Sequence, residues 1–181
     1  MRLSQRSQFK GCISCFECKT KGGKSYGRCA VQDDLTPILH RVEQADALIL
    51  GSPIYFGTVS GEMHSFMERL LFPFFTYTEP PQSLFPKKIP TAFIYTMGIT
   101  EEVMKEWGYQ QHFDKNALYL EIVFGTSESL FSFDTYQFKD YSKVVADRFD
   151  PVHKAKRRQE IFPLDCQAAW AMGIRLARKP G

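Results

Sequence analysis

Ala47-Leu48-Ile49-Leu50-Gly51-Ser52-Pro53-Ile54-Tyr55-Phe56-Gly57 is the stretch on which the fold turns. Its first five residues form a short, continuous apolar run, the pattern of a parallel strand buried on both faces. The strand is expected to stop abruptly at Ser52-Pro53. Residues 52–57 then combine a hydroxyl, a rigid turn, two adjacent aromatics and a glycine. Directly after a buried strand, such parts suit a flat, amphipathic ligand. Backbone N–H and C=O groups can meet its polar edge, an aromatic can pack on its face, and Gly57 lets the chain approach closely. A plainer reading fits the same residues, with Tyr55 and Phe56 as core side chains beside a Ser-Pro turn.

On the N-terminal side of this stretch, Asp33-Asp34 offer a cap to a helix carrying Leu35, Ile38, Leu39 and Val42 on one face. Residues 2–9 can form a polar edge strand. On the C-terminal side, Met63, Phe66, Met67, Leu70 and Leu71 mark a helix over residues 60–72, closed by Pro73. Residues 74–88, with Pro80, Pro81 and Pro86, read as a long surface connection, and residues 89–96 as a second buried strand. Thr100 caps a helix whose first turn carries Glu101 and Glu102. A helix over 111–124 ends at Gly125, residues 129–135 form a last strand, and Pro151 starts a helical run that Pro163 interrupts or restarts. Strands alternating with helices give a parallel sheet with helices on both faces, and such sheets bind ligands at the carboxyl ends of their strands. The loops at 52–59 and 97–100 lie at those ends.

The 181 residues, 44% of them hydrophobic and 24% charged, fit one globular domain over 1–181. A net charge of +3 gives no electrostatic case for nucleic acid or an anionic membrane as main partner. No apolar run approaches the roughly 20 residues needed to span a bilayer, and the polar start lacks the apolar segment of a signal peptide, so a cytoplasmic location is expected. Four of the five cysteines, Cys12, Cys15, Cys18 and Cys29, lie in a loop over residues 11–29. In a reducing compartment that clustering points to metal or redox chemistry before structural disulfides. Cys166 is expected as a small core residue. His40, His64, His112 and His153 lack metal-ligand spacing, and Lys154, Lys156, Arg157 and Arg158 read as a solvated helix face. Phe131, Phe133, Tyr136, Phe138 and Tyr141 are expected to cover the sheet edge or to serve a dimer interface.

The ordered set Gly11-Cys12-x-x-Cys15-x-x-Cys18 ending in Cys29, Asp33-Asp34, the 45–56 stretch, Ser60-Gly61-Glu62-Met63 and Phe66-Met67-Glu68-Arg69 resembles one branch of the flavodoxin-like superfamily. That branch comprises the NADPH-dependent FMN reductases and iron–sulfur flavoproteins. The resemblance implies a flavodoxin-like three-layer α/β sandwich with a mostly parallel sheet. It implies that Ser52, Pro53, Ile54, Tyr55, Phe56 and Gly57 contact the isoalloxazine of FMN, with Thr96-Met97-Gly98 as the second flavin-edge loop. A homodimer or higher homo-oligomer, and a structural Glu68-Arg69 pair that orders the loop, are implied by the same likeness.

One departure stands out. Domains of this kind open with a central strand and a Ser/Thr/Gly-rich loop that holds the FMN phosphate at a helix N-terminus. The first residues here resemble the second strand instead, so the first βα unit is expected to be missing, through truncation or a misplaced start codon. Gly22-Gly23-Lys24-Ser25 is no substitute, because Cys18 stands where a P-loop needs glycine.

By the same resemblance Cys12, Cys15, Cys18 and Cys29 match the compact motif that carries a [4Fe–4S] cluster. Zinc, or free thiols with no metal, fit the residues as well. Lys10, Lys19, Lys21, Lys24 and Arg28 either tune these thiols or form a solvated basic loop. The function implied is an FMN-binding, NAD(P)H-dependent oxidoreductase that passes electrons to a small-molecule acceptor or a redox protein. No side chain is nominated as catalytic. The alternatives are a non-catalytic electron carrier and a zinc-bound or metal-free binding protein that has lost flavin binding.

Overall fold

The computed structural model describes residues 8–178. Its centre is a four-stranded sheet in the order β2-β1-β3-β4, with β1 at Leu48–Tyr55, β2 at Thr58–Val59, β3 at Ile89–Thr96 and β4 at Gly125–Ser132. β1, β3 and β4 are parallel, and β2 folds back antiparallel on the end of β1. Among the described residues six α-helices connect and flank them: α1 Thr36–Gln44, α2 Gly61–Phe74, α3 Glu101–Glu106, α4 Gln110–Phe124, α5 Pro151–Glu160 and α6 Phe162–Ala177.

Alternation along the strands divides the core. Leu50, Phe93 and Tyr95 join Leu35, Phe66, Leu70, Phe113 and Leu120 in one large cluster, so α1, α2 and α4 cover this face. Ala92 packs with Met172 and Leu176 of α6 on the other face. Burial of apolar area on both faces supplies the main drive for this three-layer arrangement, at about 1.5–3 kcal/mol per fully buried large side chain.

Several expectations need correction. β1 does not stop at Ser52-Pro53 but runs on to Tyr55. Pro53 is tolerated because β2 pairs only with Ile54 and Tyr55, which leaves that edge of β1 open at Pro53. Nor is β1 buried on both faces: Ile49 is 48% exposed, and the cluster around Met172 and Leu176 of α6 takes in Ala92, Ile94 and Leu130 of β3 and β4 but no residue of β1. β4 begins at Gly125, earlier than expected, straight from the end of α4. Gly125 takes φ 124°, which only glycine adopts without strain. Pro73 lies within the last turn of α2, which closes at Phe74. The connection after α2 is not wholly superficial, because Phe85 is buried against Phe74 and Phe124. Phe131 stacks on Tyr95 and on Phe133, and Cys166 is exposed instead of buried. The edge strand expected over 2–9 lies mostly outside the described residues, and Gln8 and Phe9 are not in a strand.

Candidate functional site

Register brings the two expected loops together. Pro53 pairs with Thr96, and Thr96 with Ser132, so the parallel pairing ends at one level and β1 runs two residues beyond it to Tyr55. Ser52 is buried, and its hydroxyl is consumed within the loop: it donates to the Pro53 carbonyl and accepts the Ser60 N–H at 3.0 Å. Ser60 then caps α2 by accepting from the Met63 N–H. The hairpin is thereby fixed to the start of α2. Ile54 points into the core, whereas Tyr55 is 57% and Phe56 fully exposed. Phe56 sits at φ 52°, a left-handed conformation that a bulky residue adopts only under constraint. Gly57, at φ 83°, lies against the Tyr109 ring so closely that an added Cβ would meet it at 2.8 Å.

Across the sheet end, Met97 is buried and Thr96 and Gly98 are half-buried. Sequence reasoning missed the third component, the segment after β4. The Met97 carbonyl accepts the Thr135 N–H and hydroxyl, at 3.0 and 3.1 Å, and the Ile99 carbonyl accepts the Asp134 N–H at 2.8 Å. The N–H groups of Gly98 and Ile99 donate to no group among the described residues. Gly98 also lets the Gln137 amide pack against its Cα, where a Cβ would stand 2.5 Å away. Two exposed aromatics, a tight turn and two unengaged donors therefore share one end of the sheet. That set fits the face and polar edge of a flat heterocycle. It also removes the reading of Tyr55 and Phe56 as core residues.

The cysteine loop forms a separate site. Cys12, Cys15, Cys18 and Cys29 line one cavity with Phe16, Phe72 and Arg69. Arg69 is fully buried on α2 and organises this wall. Its Nε donates to the Cys29 sulfur at 3.3 Å, its terminal nitrogens donate to the Lys10 and Val31 carbonyls, and it is paired with Asp33. Glu68 accepts the Cys12 N–H at 2.9 Å, and a Cβ on Gly11 would meet the Glu68 carboxylate at 2.5 Å. Lys19 donates to the carbonyls of Phe72 and Phe75 at the end of α2, so it is a structural clamp and not a solvated charge. Arg28 is likewise engaged, with Glu43 at 2.7 Å. Burial pushes the Cys18 thiol up, against the opposing pull of Lys19. The donor set expected for a cluster is thus gathered at one cavity, although no three metal-ligating side chains converge on a single point among the described residues.

The sequence profile of the family described as NADPH-dependent FMN reductase matches residues 8–101, which include the cysteine loop, β1, α2 and β3. The chain belongs to that family. An iron–sulfur flavoprotein of Methanocaldococcus jannaschii is 43% identical over 58 residues, 32% of this chain and 28% of the relative. An iron–sulfur flavoprotein of Archaeoglobus fulgidus is 37% identical over 60 residues, 33% of this chain and 25% of the relative. The matched segment therefore spans only about a quarter of the length of these relatives. Among solved structures, an NAD(P)H:quinone oxidoreductase from Methanothermobacter marburgensis superposes with a TM-score of 0.51 at 16% identity, over 63% of this chain and 59% of that one. An FMN-dependent NADH-azoreductase from Bacillus anthracis, solved in complex with FMN, gives 0.51 at 11% identity over 90% and 77%. At those identities the likeness is one of fold, and it establishes the flavodoxin-like class for this FMN reductase family member. No helix among the described residues is long and apolar enough to cross a membrane.

Proposed function

We propose that this chain binds FMN at the ends of β1 and β3 and acts in an FMN-dependent oxidoreductase. The observation that carries the reading is the exposure of Tyr55 and Phe56 on a left-handed turn beside the unengaged amides of Gly98 and Ile99. When bound, FMN would supply hydride acceptance from NAD(P)H and electron donation to a small-molecule acceptor or redox protein. Tyr55 and Phe56 exclude water from the ring, residues 52–57 set the turn that approaches it, and the Met97-Gly98-Ile99 backbone meets its polar edge. Family membership and the FMN-bound fold relative support this assignment. No acid–base side chain is required of the protein.

A second element of the proposal is a [4Fe–4S] cluster: Cys12, Cys15, Cys18 and Cys29, which line one cavity, would hold it, and it would supply electron transfer to or from the flavin. Exposed apolar side chains at Tyr55, Phe56, Ile49 and Trp170 support a homodimer or higher homo-oligomer.

Anaerobic purification with an absorption spectrum and iron, sulfide and zinc assays tests both elements. Flavin bands and NAD(P)H oxidation with a quinone are expected, together with iron and sulfide in cluster stoichiometry. Flavin without any NAD(P)H oxidation would point to an electron carrier. Stoichiometric zinc with neither iron nor flavin would replace the reading with that of a zinc-binding protein.

A further inference from the structure

Lys154, in the first turn of α5, belongs to the basic run expected to face solvent, yet it is 2% exposed. Its Nζ donates to the Gly98 carbonyl at 2.6 Å, is paired with Asp134 and lies 4.6 Å from the centre of the Phe149 ring. Asp134 is itself held in a left-handed conformation at φ 49° and lies 3.0 Å from His153 Nε2. Removing an ammonium from water is costly unless it is paired and hydrogen-bonded. Here the pairing is spent on one peptide of the candidate flavin loop.

A cation on the carbonyl of a peptide polarises the whole unit and strengthens its N–H as a donor. The peptide in question joins Gly98 to Ile99, and the Ile99 N–H donates to nothing else among the described residues. Asp134 offsets the charge of Lys154 at longer range, which confines the effect to the group that Lys154 touches.

We propose that Lys154 is a positioning residue for the flavin: held by Asp134, it fixes and polarises the Gly98–Ile99 peptide so that its N–H favours the more electron-rich, reduced ring. The inference rests on the FMN assignment. It adds a residue outside the family-matched segment, 8–101, to the machinery that sets the flavin potential.

The test compares the full chain with Lys154→Met and with the double variant Lys154→Met/Asp134→Asn, which leaves no orphaned buried charge if the single variant fails to fold. Circular dichroism checks folding, fluorescence titration gives the affinity for oxidised FMN, and anaerobic dye equilibration gives the midpoint potential. The double variant is expected to bind reduced FMN about tenfold more weakly relative to oxidised FMN, which lowers a two-electron potential by about 30 mV. A folded double variant with unchanged affinity and potential would show that Lys154 merely anchors α5, and would overturn the proposal. If the unaltered chain binds no FMN, the FMN assignment itself fails and this inference with it, an outcome visible without any variant.

Discussion

Arg69 donates from Nε to the sulfur of Cys29 at 3.3 Å, and through the same guanidinium it fixes the chain on either side of the cysteine loop at Lys10 and Val31. One buried side chain of α2 therefore sets the shape of a loop otherwise poor in regular structure. Replacing Arg69 by Met should cost about 3–5 kcal/mol in urea unfolding, because it strands the buried partners of the cation. Lysine should not restore the loss, since it lacks the planar fork that reaches the Cys29 sulfur, the Lys10 and Val31 carbonyls and Asp33 together.

Asp33 supplies the acidic half of that arrangement. Burial pushes its carboxyl up, but hydrogen bonds from Arg69 and the Leu35 N–H outweigh this and hold it below its ordinary value of 3.8. A carboxylate with a depressed folded pKa stabilises the protein above its unfolded pKa, and the contribution is lost as pH falls through the folded value. Unfolding free energy should therefore decline as pH drops below about 3.8, with a steeper slope than in Asp33→Asn. Urea titrations over that range check this, and equal slopes in the two proteins would contradict it.

Gly57 meets two demands at once, a left-handed backbone and contact with the Tyr109 ring. Gly57→Ala should lower stability by more than about 1 kcal/mol through the backbone alone, with a further cost from the clash. Adding Tyr109→Ala should return the clash component and not the backbone component. A double-mutant cycle by thermal unfolding measures the two separately.

Tyr55 and Phe56 are displayed by the turn and contribute little to the core. Their substitution by Ala should change stability by no more than about 0.5 kcal/mol each, the usual range for exposed positions. FMN affinity should fall at least tenfold in the double substitution. Losses of several kcal/mol in stability would instead mark them as packing residues.

The bounds of β3 are legible in the sequence because Ile89-Pro90-Thr91-Ala92-Phe93-Ile94-Tyr95-Thr96 is mostly apolar and is succeeded by a turn. The start of β4 is not, since Gly125-Thr126-Ser127-Glu128 has a polar surface that shows its strand character only when paired with β3. At residues 52–57, local chemistry reveals the turn and its aromatics, but not that both rings face outward. Lys154 carries the pattern of a solvated helix face because helix periodicity holds no trace of a partner 56 positions away. The place of residues 133–137 at the sheet end is not legible in the sequence for the same reason: the hydrogen bonds from Asp134 and Thr135 to Ile99 and Met97 are tertiary.

Whether the end of the sheet holds a flavin is tested most directly by titrating FMN with the purified chain under anaerobic conditions and monitoring flavin fluorescence. Saturable quenching at one FMN per chain, weakened by Tyr55→Ala/Phe56→Ala, is the expected result. Fluorescence unchanged across the titration would contradict the assignment of residues 52–57 and 96–98 as a flavin site.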